Sequence, residues 1–277
     1  MDSRKYSIAA FYHFGPVPAA QLESLSQRMV DHANSVNVRG LVILATEGVN
    51  GTISAETKET LESYLNFISE LLSFPKLEPK WSEAEIWPFK KFAVRIRPEI
   101  VTLGKPEVQP LPPKSPRHLP PEEWHRMMEE EDVIVLDTRN WYETKIGKFA
   151  GAIDPQIDEF REFSDYLDRS GIPKDKKILI YCTGGIRCEK AIVEMENKGF
   201  KNVYQLEGGI LNYLAKYPNQ KFEGECFVFD HRVAVDQHLN PTKLYKMCPH
   251  CGQPADQKIQ CRRCDSEAVV CADCLEK

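Results

Sequence analysis

The sequence predicts an α/β protein in three parts. An N-terminal α+β domain precedes a central domain with a parallel sheet, and a small cysteine-rich module closes the chain. Three observations carry this. Up to residue 103, two amphipathic helical segments are interleaved with strand-like stretches. Between 122 and 220, buried apolar strands alternate with helices, the signature of a parallel sheet. Near the C-terminus, six of the nine cysteines fall into three C-x-x-C pairs.

The elements follow in order. YSIAAFYHF (6–14) is apolar and aromatic, as a half-buried strand is. Residues 19–34 place Leu22, Leu25, Met29 and Val30 at helical spacing, with Pro18 at the start. RGLVILATEGVNGTISA (39–55) is an apolar run in which Asn50-Gly51 predicts a turn or bulge between two strands. Residues 56–74 carry Leu61, Tyr64, Leu65, Ile68, Leu71 and Leu72, an amphipathic helix. FAVRIR (92–97) is the next strand, followed by IVTL (100–103). The order β-α-β-β-α-β is the ferredoxin-like arrangement. GKPEVQPLPPKSPRHLPP (104–121) holds seven prolines, which exclude a helix or a central strand and predict a semi-rigid linker. EEWHRMMEE is helical, DVIVLDTRN (132–140) is a buried strand entering a polar loop, and 157–168 is a helix. KKILIYC (176–182) is a second buried strand, 187–199 a helix, and NVYQLEGGI (202–210) a third strand ending in a double glycine. The predicted units are therefore 1–103, the linker 104–121, 122–220 and the tail 221–277.

The 277 residues suffice for more than one core, and 42% hydrophobic with 28% charged residues indicate a globular chain. No run approaches the ~20 apolar residues of a membrane span. The N-terminus lacks the apolar core and cleavage site of a signal peptide, so a cytoplasmic location is expected. A net charge of −5 argues against a uniformly basic nucleic-acid binder but leaves room for a local patch. PFKKFAVRIR (88–97) is that patch: Lys90, Lys91, Arg95 and Arg97 stand there without an acid, and Phe89 and Phe92 are candidates for stacking on bases. The alternative is a strand with a solvated cationic face.

The chemistry concentrates in CTGGIRCEKA (182–191). In α/β sheets ligands bind at the carboxyl ends of strands. Cys182 sits at such an end, before a predicted helix. Thr183, Gly184, Gly185 and Ile186 form a tight loop whose N–H groups make an anion nest. The helix start and Arg187 add positive potential. All three favour the thiolate, so Cys182 is the candidate nucleophile and Arg187 its electrostatic partner. The bland alternative is a buried structural thiol beside a glycine turn. Cysteine-based phosphatases have a loop one residue longer, so this smaller cradle suits sulfur or another small group. Cys188 follows Arg187; it is either a resolving thiol or a small apolar residue of the helix. Asp137 and Arg139 end the preceding strand and either line the pocket or brace it by an ion pair.

Cys248, Cys251, Cys261, Cys264, Cys271 and Cys274 make up the three pairs. C-x-x-C lets two thiolates share a tetrahedral zinc, and two pairs fill one structural site. Three pairs overfill one site and do not fill two unless His250, His238 or another group joins. Cys226 stands apart and is expected in the core.

These residues resemble a known family. LDTRNWYETKIGKFAGAI (136–153), the C-x-x-G-x-R of Cys182, Gly185 and Arg187, and GFKNVYQLEGGILNY (199–213) are similar to the opening, loop and closing segments of rhodanese domains, apart from Lys148 where histidine is usual. EGVNGTIS (47–54), EIVTLG (99–104), IDEFREF (157–163), CTGGIRCEKA, LEGGILNYL (206–214) and GECFVFDHRVAV (224–235) extend the likeness to the rhodanese-type tRNA uridine hydroxylases. The resemblance implies oxygen-dependent conversion of a wobble uridine to 5-hydroxyuridine, with Cys182 as the essential cysteine, the tRNA anticodon loop as partner, and molecular oxygen as co-substrate. No flavin, iron or haem motif is recognisable, so no organic cofactor is expected beside the zinc tail. A thiolate or persulfide at Cys182 adding to uridine C6 would make C5 electron-rich, with the loop N–H groups and Arg187 stabilising the enolate. A sulfurtransferase is the alternative. A non-catalytic binding module ranks last, since inactive rhodanese folds usually lack the cysteine.

Overall fold

The computed structural model describes residues 5–112, 115–130, 132–260 and 264–276. Its N-terminal part contains β1 (Tyr6–Phe14), α1 (Leu22–Ser35), β2 (Arg39–Ala45), β3 (Gly48–Ala55), α2 (Lys58–Leu72), β4 (Lys80–Ala84) and β5 (Phe92–Ile96). The sheet order is β4-β1-β3-β2-β5. Its first four strands are antiparallel neighbours, and β5 adds to β2 in parallel. The ferredoxin-like order is thus present, but its last strand is KWSEA (80–84), which the sequence pattern hid. FAVRIR is a fifth strand on the opposite edge. A polar edge strand has little alternation to find, because only one of its faces meets a core. IVTL contributes no strand.

The Asn50-Gly51 turn is also corrected. The hairpin turns at Thr46-Glu47, where Ala45 pairs with Gly48, and Asn50 and Gly51 lie inside β3. Gly51 is there for space: a Cβ would stand 3.1 Å from the Phe11 ring and from the Leu41 carbonyl oxygen.

Both helices cover one sheet face. Thr57 caps α2, accepting from Thr60 N at 3.2 Å. Its Leu61, Tyr64, Leu65, Ile68 and Leu72 are buried against Ala9, Phe11, Val42, Leu44 and Ile53. The Tyr64 hydroxyl donates to the Met29 carbonyl of α1 at 2.7 Å, locking the helices together. The other sheet face carries no helix.

The middle of the chain contains β6 (His118–Leu119), α3 (Pro121–Met127), β7 (Val133–Asp137), α4 (Trp141–Thr144), β8 (Gly147–Phe149), α5 (Phe163–Arg169), β9 (Lys177–Tyr181), α6 (Ile186–Asn197), β10 (Asn202–Leu206) and α7 (Gly209–Lys216). Four strands form a parallel sheet in the order β6-β10-β9-β7. Strand β9 is buried on both faces. Ile178 and Ile180 enter one core with α5 and α6, while Leu179 and Tyr181 enter the other with Trp124 and Tyr213. That is why KKILIYC is continuously apolar. The proline-rich segment packs on the central domain: Val108 is buried in the Ile178 core, as is Leu103 just before the segment, and His118-Leu119 pair with β10 as an edge strand.

The remainder contains β11 (Phe222–Gly224), β12 (Cys226–Phe227), β13 (Ala234–Val235), β14 (Lys246–Met247), β15 (Pro254–Ala255), β16 (Gln257–Gln260), β17 (Glu267–Val270) and α8 (Ala272–Leu275). Strand β11 pairs with β8, and the rest form two-stranded ribbons. Among the described residues no helix is long and apolar enough to cross a membrane.

Glu189 and Lys190 of α6 join the two larger units. Lys190 is fully buried, with Nζ 2.8 Å from Glu47 Oε2 and 2.5 Å from Glu99 Oε2. Glu189 accepts from the Tyr12 hydroxyl and from Gln205 Nε2, both at 2.9 Å. Buried charges persist only when paired, and stripping one partner typically costs ~3–5 kcal/mol. The EKA extension of the loop motif is therefore an interdomain clamp.

Candidate active site

Cys182 follows β9 at its carboxyl end and is 1% exposed. Gly185 has φ 99°, which turns the chain into α6 and aims its N–H at Cys182 Sγ, 3.1 Å away. The N–H groups of Arg187 and Cys188, at the start of α6, add to the field that favours the thiolate. Burial pushes the Cys182 thiol up. The Cys188 thiol, the Arg187 charge and these N–H groups outweigh it, and the pKa falls to about 6. Of the loop N–H groups expected to face an anion, that of Gly185 bonds the sulfur itself.

A second glycine pair supports the loop from below. Gly208 and Gly209 both have positive φ, and a Cβ on Gly209 would stand 2.5 Å from Cys182 O and 2.6 Å from Thr183 O. Only glycine lets α7 approach so closely. Ile210 N and Leu211 N then donate to Cys182 O and Thr183 O at 3.0 and 3.1 Å. Gly184, by contrast, has open space around it.

Arg187 is buried and held in a two-pronged ion pair, with Nη1 and Nη2 2.6 and 2.7 Å from the Glu143 carboxylate oxygens. Its guanidinium thus braces the loop and acts on Cys182 through its charge. Glu143 is wholly buried and also accepts from Asn140 N and from the Thr183 hydroxyl, at 3.2 and 3.4 Å. Glu143 is a residue that the cysteine-loop motif does not point to. The N-x-x-E spacing of Asn140 and Glu143 was the available signal, a capping box at the start of α4. Asp137 and Arg139 pair with each other at 2.7 Å, both fully buried, and Arg139 also donates to Gly147 O. They brace the end of β7. Ile186 opens α6, and Cys188 is completely buried beside Cys182.

The helix-free face of the N-terminal sheet meets this loop. Tyr12 donates to Glu189, and its hydroxyl would lie 3.0 Å from a Cβ on Gly185. Lys80 Nζ sits 4.4 Å over the Tyr12 ring. Burial lowers the Lys80 pKa, against the opposing pull of Cys182, Glu189 and Glu207. Neither residue had a sequence signal, because their neighbourhood is made by packing between domains. Phe229 is 57% exposed, and the Arg187 guanidinium lies 5.8 Å from its ring centre. Directly after it in the chain Asp230 pairs with Arg232, which donates to Ser82 Oγ at 2.7 Å.

Lys90, Lys91, Arg95 and Arg97 are all exposed, whereas Phe92 is buried in the first core against Tyr64 and cannot stack on a base. Cross-strand pairing sets Tyr12, Asn50, Ile43 and Arg95 in one row. Paired residues share a face, so Arg95 lies on the face that carries Tyr12, ~14 Å along it at strand spacing.

Cys248, Cys251, Cys271 and Cys274 have sulfurs within 4.8 Å of one another, with Cys251 and Cys271 3.5 Å apart. Four thiolates at ~2.3 Å from a central ion would be ~3.8 Å apart, so this set can hold a metal. The first and third pairs come together. Cys264 lies outside the cluster, 3.1 Å from Ser266 Oγ, His238 Nε2 contacts Asn219, and Cys261 is not among the described residues. Cys226 is fully buried in the core of Leu179, Tyr181 and Trp124.

The pKa has a direct consequence. Alkylation of Cys182 by iodoacetamide, read on the 178–187 tryptic peptide, rises about tenfold per pH unit below the midpoint and levels off above about pH 6. A rate still climbing beyond pH 8 would show an ordinary thiol.

Residues 6–100 match the UPF0176 acylphosphatase like domain, 120–216 the Rhodanese-like domain and 223–277 the Rhodanase C-terminal domain. A protein of Bdellovibrio bacteriovorus named tRNA uridine(34) hydroxylase is 51% identical over 276 residues, covering 99% of this chain and 78% of that protein. Proteins of the same name from Agrobacterium fabrum and Legionella pneumophila are 39% and 44% identical, over 99% and 87% of this chain and 87% and 94% of theirs. With its poised cysteine loop, its acylphosphatase-like first domain and this full-length similarity, the chain belongs to the tRNA uridine(34) hydroxylase family.

Proposed function

We propose that this chain hydroxylates C5 of the wobble uridine in the tRNA anticodon loop, using molecular oxygen, with Cys182 as nucleophile. The observation that carries the reading is a buried thiol whose pKa is lowered, its sulfur accepting from Gly185 N at the start of a helix, where a second domain presents a cationic, helix-free sheet face. Uridine C5 does not react with oxygen unaided. Addition of the Cys182 sulfur to C6 shifts electron density to C5 and O4. Arg187 stays paired to Glu143, so Lys80 supplies a second cation beside Cys182 for the enolate. Phe229 offers the open ring on which the flipped base stacks, and Arg95, Arg97, Lys90 and Lys91 hold the anticodon phosphates. Cys182 is closed over, so side chains at the mouth must shift to admit the base. In this scheme 1–103 contacts RNA, 122–220 carries the chemistry, 104–121 joins them and 221–277 docks as the tail. The setting is the cytoplasm.

The test is nucleoside mass spectrometry. Unmodified tRNA bearing a wobble uridine gains one oxygen when incubated in air with the purified chain, and the atom derives from labelled oxygen gas rather than water. Thiocyanate formation from thiosulfate and cyanide, with no gain on tRNA, would replace this reading by sulfur transfer.

We propose zinc as the ion of the Cys248, Cys251, Cys271 and Cys274 cluster. The all-thiolate donor set suits it, and its role is to fold a segment with too little core of its own. Metal analysis of the purified chain should give one zinc per molecule, lost in Cys251→Ser. Zinc retained in that variant would dismiss the assignment.

A further inference from the structure

We propose that Cys182 and Cys188 together are the reductant of the reaction, a dithiol that becomes a disulfide in each turnover. This rests on the hydroxylase reading of the same site.

The electron count demands a donor. Inserting one atom of oxygen gas into a C–H bond leaves the other atom to become water, which takes two electrons and two protons. The chain places a two-electron donor against the nucleophile. Cys182 and Cys188 are 1% and 0% exposed and pack in the same core cluster, and each thiol shifts the other's ionisation, Cys182 down and Cys188 up. The loop closes on itself between them, Cys188 N donating to Gly185 O at 3.1 Å. Thr138 Oγ1 lies 3.7 Å from Cys188 Sγ and fixes its position. Burial and the adjacent Cys182 sulfur push the Cys188 thiol well up, so it keeps its proton while Cys182 is ionised. One member is thus the attacking thiolate and the other the proton-bearing partner. Cys226 is equally buried but belongs to a different core cluster.

The steps balance. Cys182 adds to C6, and the electron-rich C5 takes up oxygen and a proton to form a hydroperoxide. Loss of the C5 proton expels Cys182 from C6. The freed thiolate attacks the outer oxygen, and the O–O bond breaks. The inner oxygen stays on C5 as hydroxyl, and the outer one becomes a sulfenic acid on Cys182. Cys188 then displaces hydroxide from that sulfur; the S–S bond forms and water leaves. In sum, one C–H, one oxygen molecule and two thiols give one C–OH, one water and one disulfide. An external thiol or dithiol resets the pair by exchange.

The sequence makes the test convenient. Trypsin cuts after Lys177, Arg187 and Lys190, placing Cys182 in ILIYCTGGIR and Cys188 in CEK. The full-length chain is reduced, freed of reductant and mixed in air with unmodified tRNA. Product should stop at one 5-hydroxyuridine per chain, with an equal amount of the two peptides joined. Dithiothreitol should then release many turnovers. Cys188→Ser should form product and accumulate a dimedone-reactive sulfenic acid on Cys182, with no joined peptides. Continued turnover without reductant, or product with both thiols still reduced, would overturn the dithiol role and leave the hydroxylase standing. No product from the wild-type chain with or without dithiothreitol would remove the hydroxylase reading and this proposal with it.

Discussion

Cys182→Ala abolishes formation of 5-hydroxyuridine, a loss of ~10³-fold or more, because nucleophilic addition has no substitute on this scaffold. The side chain is small and buried, and its sulfur accepts from Gly185 N beside the first N–H groups of α6. Alanine leaves those donors facing a pocket that water or the substrate can satisfy, so the fold should survive with a stability change of ~1–3 kcal/mol. Activity and stability therefore separate. Incubation of the variant with wobble-uridine tRNA, followed by nucleoside mass spectrometry, should show no added oxygen, while its melting transition stays cooperative. Retained hydroxylation in Cys182→Ala would mean that the loop's thiol is not the nucleophile.

Glu143→Gln gives the second large effect, and here stability and activity fall together. The carboxylate is fully buried and neutralises Arg187 through two short bonds. Burial alone would raise its pKa, but the Arg187 charge and hydrogen bonds hold it below the ordinary value. Glutamine keeps the shape and removes the charge, leaving a buried guanidinium uncompensated. The cost is ~3–5 kcal/mol. At ~2–4 °C per kcal/mol for a chain near this size, thermal unfolding should start roughly 6–20 °C lower. Hydroxylation should drop ~10²-fold, because Arg187 positions the loop that ionises Cys182. The sign with pH follows from the depressed pKa: the pair's contribution is present above the usual carboxylate range and is lost as pH falls through the folded-state value. Wild type should therefore lose its advantage over Glu143→Gln in acid. An unchanged melting temperature at neutral pH would show that the pair contributes little.

Much of the catalytic loop was legible because its chemistry is local. A strand end, two glycines, an arginine and a helix start are contiguous in CTGGIRCEKA, and backbone geometry alone turns them into a nest around Cys182. The double apolar strand pattern of KKILIYC likewise announces burial on both faces. The four-cysteine cluster was half legible. C-x-x-C spacing names the pairs, but which pairs meet depends on ribbons β14 to β17 bringing Cys248 and Cys251 against Cys271 and Cys274.

What the sequence by itself determined is local: the candidate nucleophile, its loop, the helix behind it, and the alternation of strands and helices that makes the central domain. The tertiary structure alone decided which distant residues face that loop. KWSEA became the fourth strand because pairing with β1 satisfies its backbone, whatever its weak pattern. Phe92 was drawn into the core because its side of β5 faces the helices, which leaves the cations of that strand outside. Tyr12 and Lys80 reach the catalytic loop, and Lys190 meets Glu47 and Glu99, only because two domains dock on charges that cannot be buried unpaired. Periodicity records whether a side chain is inside or outside; it holds no record of which other segment lies opposite, and that is where Tyr12, Lys80 and Glu143 acquire their roles.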